Sequence, residues 1–328
     1  LGTKNLTRSI TKEHGLGTNN TLSILKDNWN NYWFATTGGA YKYSGQEFEH
    51  ITTDDWLKDK HVYDVHVSSK GSIWSSYSTG LTMMKEDTII HYNSSNGYYG
   101  GRARVITEDN LGNIWIGTDR NGVFCFNGTA FHNFTRADGI PSVKITDILE
   151  DSLYNIWIST ANGIAKLTPR EPNKFLYDTE VWRDELNVGS DAYITDLEAD
   201  KRGGRIWFSS SRNGIGYFFE ENIQHLGTES GIPDATIRCL KISPKDNHLW
   251  IGTEEKGVSI GSIDGLISFD RLDVKSGLTS DNIYLIEFDK QEIVFQCFPR
   301  FTTPGADGKP KQFPGWPVTV PLERPPKD

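Results

Sequence analysis

Cysteine is scarce in this chain: Cys125, Cys239 and Cys297 are the three among 328 residues, an odd number spread over different segments. They form no metal or redox motif, and buried free thiols are the expectation. No stretch of about 18 apolar residues occurs, so the chain as given does not span a membrane. A basic excess is also missing. Lys and Arg number 34 against 43 Asp and Glu, the net charge is −9 and the pI is near 5.4, which leaves a nucleic-acid partner no electrostatic footprint. No window keeps a helical period, and there is no zinc or calcium spacing, no Gly-x-Ser-x-Gly elbow and no phosphate loop. No metal or cofactor is therefore expected. The chain starts at Leu1 with neither Met nor a signal-peptide apolar core, which points to a leader already removed.

What is present is rhythm. Trp33, Trp74, Trp115, Trp157, Trp207 and Trp250 follow at intervals of 41, 41, 42, 50 and 43 residues. Each sits in a variant of one phrase, such as Asn113-Ile114-Trp115-Ile116-Gly117-Thr118 or Asn155-Ile156-Trp157-Ile158-Ser159-Thr160. In the third repeat, extended runs at 104–108, 114–118, 123–126 and 130–134 are separated by turn-formers, including Asn121-Gly122 and Asn127-Gly128. Four antiparallel strands in about forty residues, repeated, define a β-propeller blade. Gly39, Gly80, Gly122, Gly163, Gly214 and Gly257 mark the hairpin after each Trp strand. The Trp residues are read as core between blades.

Six Trp-bearing repeats run from about Gly15 to Asp273. A further opening, Gly277-Leu278-Thr279-Ser280-Asp281-Asn282, leads to Ile293-Val294-Phe295 where the Trp phrase would fall. Leu6 to Thr11 matches an outermost strand rather than an innermost one. The expectation is an all-β fold: a seven-bladed propeller of four-stranded antiparallel blades, closed by that N-terminal strand. Residues 1–313 are assigned to one propeller. Residues 299–328 hold eight of the thirteen prolines, and 314–328 are read as a Pro-rich tail.

The phrases resemble the two-component regulator propeller repeat: a Gly-Leu/Ile-Pro opening, Ile-x-Asp, Gly-Asn-Ile/Leu-Trp-Ile-Gly-Thr, then a Gly-Leu/Val turn. The match is tightest at Gly139-Ile140-Pro141 through Gly163-Ile164 and Gly231-Ile232-Pro233 through Gly257-Val258, and covers roughly residues 10–295. The resemblance implies the periplasmic or extracellular sensor region of a hybrid histidine kinase, or a free-standing relative. It also implies glycan-related ligands and a kinase or other membrane protein as partner.

Candidate chemistry is sought where residues break the period. His50, His91, His132 and His225 recur at one phase, seventeen or eighteen residues past their Trp, and are read as scaffold. His14, His61 and His66 lie on the axis side of the first blades. A polysaccharide lyase could be assembled from His61, Tyr63, Arg102 and Arg104, with a His or Tyr base and an Arg neutralising the uronate. The better supported reading is binding without catalysis. Trp56, Tyr98, Tyr99 and Trp182 offer rings for stacking on a sugar, and Arg102, Arg104, Arg183 and Arg238 offer forks for hydroxyls or acids. Trp56, Tyr98, Tyr99, Arg102, Trp182 and Arg183 lie in loops from an outer strand to the next inner strand. Arg104 and Arg238 share one inner-strand position with Tyr63, Thr146 and Thr195. Arg120, Arg212 and Glu254 are candidate rim contacts. The function expected is oligosaccharide recognition, with an enzyme or a protein-docking platform as alternatives.

Overall fold

The computed structural model describes residues 16 and 21–288, apart from 46, 172–173, 188–191, 221, 233, 264–268, 277 and 279, together with the backbone of 8–9, 292–298 and 316–321. Every regular element in it is a β-strand or a single 3-10 turn, and none is a helix able to cross a membrane among the described residues. The strands form four-stranded antiparallel sheets arranged as a propeller. Blade one is Thr21–Lys26, Tyr32–Thr36, Gly39–Tyr43 and Phe48–Ile51, in that order from the axis outward. The inner strands of blades two to six are Val65–Val67, Ala103–Glu108, Ile145–Glu150, Ile194–Ala199 and Ile237–Ile242.

The hairpin glycines are required by geometry. Gly122 has φ +77°, and a Cβ on it would sit 2.3 Å from the carbonyl oxygen of Phe134 on the outer strand. No other residue fits that approach. Gly39, Gly80, Gly163, Gly214 and Gly257 stand at the same turn with positive φ.

The hydrophobic core is divided between neighbouring blades instead of lying at the centre. Trp115, Val123 and Phe134 of blade three pack on Ile145, Ile148 and Ile158 of blade four, and similar clusters fill the other junctions. Leu16, Leu57, Tyr98, Ile140, Leu186, Ile232 and Leu278 recur after each outer strand with exposures of 4 % or less, so each loop is pinned by one apolar anchor.

The expectation of a seven-bladed propeller is corrected to six blades. Each of the six is one contiguous repeat. The stretch after Gly277 yields only two consecutive strands, Asn282–Phe288 and Glu292–Phe298, because it lacks the Trp phrase and the tight glycine turn that follows it elsewhere. Those strands are completed by Trp316–Pro321 and by Arg8–Ser9, giving a composite sheet built from both ends of the chain. It lies between blades six and one. The span 316–321, assigned to a tail on composition, thus carries a strand. Within 6–11, only Arg8 and Ser9 lie among the described residues.

Candidate functional site

Every inner strand except that of blade two carries a β-bulge near its start. The pairing register slips between Thr21 and Ser23, Ala103 and Val105, Ile145 and Asp147, Ile194 and Asp196, Ile237 and Cys239, and Ile283 and Leu285. A bulge leaves one residue unpaired and re-aims its side chain. The residues freed are Leu22, Arg104, Thr146, Thr195, Arg238 and Tyr284, and Tyr63 takes the equivalent place just before the inner strand of blade two. All seven line a central channel of about 1120 Å³.

Three tyrosine–cation pairs stand around this end of the channel. The Arg102 guanidinium lies 4.1 Å from the Tyr63 ring centre, Lys144 Nζ 5.6 Å from Tyr193, and Arg238 5.7 Å from Tyr284. The His61 ring also meets Tyr63, at 4.5 Å. Arg102 pairs with Asp119 at 3.4 Å, and Arg104 donates from Nε to the same carboxylate. Arg238 donates from Nη2 to Glu254, while its buried Nε has no partner among the described residues.

One residue further along the strands, the channel wall turns acidic. Asp64 accepts from the backbone N–H of Ile106 in blade three, Asp147 from Leu197 in blade five, and Asp196 from Leu240 in blade six, at 2.8, 3.0 and 2.6 Å. Asp147 and Asp196 are also hydrogen-bonded to each other through their side chains, which requires a proton between them. Burial raises both; the hydrogen bond with Asp196 offsets part of the rise at Asp147, whereas the charge of Asp147 raises Asp196 further. Burial also pushes Asp64 up to about 7. Two positions deeper, Lys241 lies 3.9 Å from Glu198 and 3.7 Å from Glu287, and these two acids hold its ammonium charged. Burial lowers His66 to about 4.

The residues singled out in the sequence fall into two groups. Tyr63, Arg102, Arg104 and Arg238 line the channel, with Arg102 over the Tyr63 ring and His61 against the same ring. The proposed rings do not converge there. Tyr98 is 1 % exposed and packs on Phe124 and Phe131, so it is an interblade anchor with no face open to a ligand. Trp182 stacks on Trp157 at 5.4 Å within the core between blades four and five, and Trp56 is half-buried against another such cluster. Tyr99 is exposed and meets Phe124 edge-on, its hydroxyl accepting from Asn133. Arg183, Arg120 and Arg212 are exposed. Glu254 serves as the counter-ion of Arg238. Sequence reasoning missed Tyr193, Tyr284, Lys144 and Asp119. His50 and His225 bond to backbone carbonyls, and His91 to Thr82, as scaffold residues would. Cys125 is a buried free thiol, Cys239 is buried, and the side chains of His14 and Cys297 lie outside the described residues. No group of three or more His, Cys, Asp or Glu able to hold a metal occurs among the described residues.

No protein-family model matches the chain, and neither does any curated protein. Solved structures do. The extracellular domain of BT4673 from B. thetaiotaomicron, described as a hybrid two component system, is 15 % identical with a TM-score of 0.70, over 89 % of this chain and 38 % of that one. PorZ, a surface component of the type-IX secretion system of Porphyromonas gingivalis, is 17 % identical with a TM-score of 0.69, over 93 % and 46 %. Virginiamycin B lyase from Staphylococcus aureus is 14 % identical with a TM-score of 0.71, over 97 % and 99 %. The likeness is one of fold. The present chain spans less than half the length of the first two.

Proposed function

We propose that this propeller is a non-catalytic ligand-recognition module of a periplasmic or extracellular sensor, binding an oligosaccharide at the bulge end of its channel. The observation that carries this reading is that bulged Arg104, Thr146, Thr195, Arg238 and Tyr284, with Tyr63 just ahead of its strand, line one concave space. Tyrosine faces suit the C–H side of a pyranose, and guanidinium, threonine and phenol groups suit its hydroxyls. A histidine kinase or other membrane protein as signalling partner accords with the likeness to extracellular domains of two-component systems. Thermal-shift screening against an oligosaccharide panel tests the proposal. A stabilising hit lost in Tyr63→Ala and Tyr284→Ala supports it, and a hit unaffected by either moves the site elsewhere.

A second reading rests on the contact of His61 with Tyr63 and of Tyr63 with Arg102, a base–neutraliser cluster of the kind a uronate lyase needs. Incubation with uronate polysaccharides, followed at the absorbance of the unsaturated product, decides between the two. Product formation that disappears in His61→Ala would replace recognition with catalysis. Ligand-free behaviour throughout leaves a protein-docking platform.

A further inference from the structure

We infer that the ligand of this mouth is an acidic oligosaccharide bearing at least two anionic groups, one held by Arg102 and Arg104 and another by Arg238. The inference rests on the recognition reading above and narrows its ligand class. The two arginine stations are placed by the same bulge in blades three and six, three blade steps apart one way round the ring and further the other way, past the composite sheet. They therefore face each other across the channel instead of acting as one fork.

Each station is a built unit. Asp119 directly follows the second strand of blade three, Ile114–Thr118, and Glu254 directly follows that of blade six, His248–Thr253. The same position holds Thr37, Ser78, Ala161 and Ser211 in the other blades. An acid thus appears at that turn only where an arginine occupies the bulge. These acids sit behind the arginines and do not line the channel, whose charged residues at this end are Arg102, Arg104 and Arg238. They orient the guanidiniums while taking up only part of their donors. Arg104 spends Nε on Asp119, and Arg238 spends one terminal nitrogen on Glu254 and keeps a buried, unpartnered Nε. A guanidinium has five N–H donors, so several at each station remain for an incoming acid. Two arginines on one aspartate leave a positive charge at the first station. Lys144, which makes no ion pair among the described residues, adds another at the Tyr193 pair. This cationic end belongs to a chain of net charge −9, so its sign is not inherited from composition.

The test is calorimetric titration with matched pairs: oligogalacturonate, oligomannuronate and a chondroitin sulfate tetrasaccharide, each against its carboxyl-reduced or desulfated counterpart. At least one acidic member should bind roughly tenfold or more tightly than its neutral partner, and its affinity should fall when sodium chloride rises from about 50 to about 500 mM. Arg104→Gln and Arg238→Gln should each weaken the acidic ligand roughly ten- to a hundredfold while leaving the melting temperature near wild type. Arg170→Gln, exposed near the end of the third strand of blade four, should change nothing. Equal binding of acidic and neutral members, or loss in only one of the two arginine variants, overturns the two-anion assignment but leaves recognition standing. A protein that binds neither member of any pair loses both readings.

Discussion

Asp109 gathers four donors on one carboxylate: the backbone N–H groups of Leu111 and Asn113, the Asn113 amide and the Trp115 indole N–H, the last at 2.8 Å. Asp27 with Trp33 and Asp151 with Trp157 repeat the arrangement, so the first turn of the blade and its core tryptophan are clasped by one acid. In blade five the clasp is broken by an extra residue. Asp200 stands seven places before Trp207 instead of six, bonds to Arg202 and Gly203, and lies 3.4 Å from Arg205 Nη1. The Trp207 indole N–H has no partner among the described residues. Trp115 and Trp207 are both fully buried, so Trp→Phe removes comparable ring volume at each. Trp115→Phe should cost about 1.5–3 kcal/mol more than Trp207→Phe in denaturant unfolding, the value of a hydrogen bond to a charged acceptor. Equal costs would show that the clasp adds nothing. Trp115→Ala should cost about 3–5 kcal/mol.

At this scale the sequence was legible where residues recur and misleading where an insertion hid recurrence. Tyr98 occupies the place of Ile140 and Ile232, the apolar anchor of the loop. Trp182 pairs with Ile164 as Phe134 pairs with Val123, a core position displaced by the lengthened strands of blade four. Both are in phase and neither is free to bind. The bulge partners Tyr193 and Tyr284 escaped notice because a one-residue slip in register leaves no compositional trace.

The element that most constrains the channel is the inner strand, whose inward edge has no partner strand. An unpaired buried amide is costly, and Asp64, Asp147 and Asp196 answer for three of them by reaching across a blade junction. These staples titrate. Asp64 binds its proton up to about pH 7 when folded and only up to about 3.8 when unfolded. Its contribution is thus complete below about pH 4 and is lost as the pH rises through 7. Asp147 and Asp196 act in the same direction, with Asp64, Glu198 and Lys241 as charged neighbours. His66, lowered to about 4, opposes them, costing more stability as the pH drops from 6.5 toward 4. Asp196→Asn should accept from Leu240 with its oxygen and donate to Asp147 with its amide, replacing the shared proton by a permanent one. The variant should gain stability relative to wild type at pH 8 and show a shallower decline between pH 5 and 8, where one proton corresponds to about 1.4 kcal/mol per pH unit. An unchanged pH profile in chemical denaturation would mean the pair shares no proton.

For the whole molecule, the propeller and its blade anatomy followed from a period that no helical or α/β fold would produce. The blade count did not, because Gly277 to Asn282 repeats the opening of a blade whose later strands are not supplied by the repeat. Closure falls instead to a sheet that borrows Arg8–Ser9, paired with Val318 and Thr319, from the far end of the chain. That sheet also carries Tyr284, the partner of Arg238, so the seam and one side of the candidate site share a foundation. A sheet that loses its outer strand exposes a new edge and loosens the strands behind it. Deleting residues 1–12 should therefore lower the melting temperature by several degrees. In hydrogen exchange, the loss of protection should concentrate in Asn282–Phe288 and Ile237–Ile242, while Ala103–Glu108 and Ile145–Glu150 across the ring keep theirs. Binding of an acidic oligosaccharide should weaken through the Arg238 station, so that Arg238→Gln costs less in the truncated protein than in the full chain, whereas Arg104→Gln costs the same in both. A truncation that leaves melting and exchange untouched would place the closure elsewhere. Loss spread evenly over all blades would show that the ring opens as one unit and that no station depends on the seam more than another.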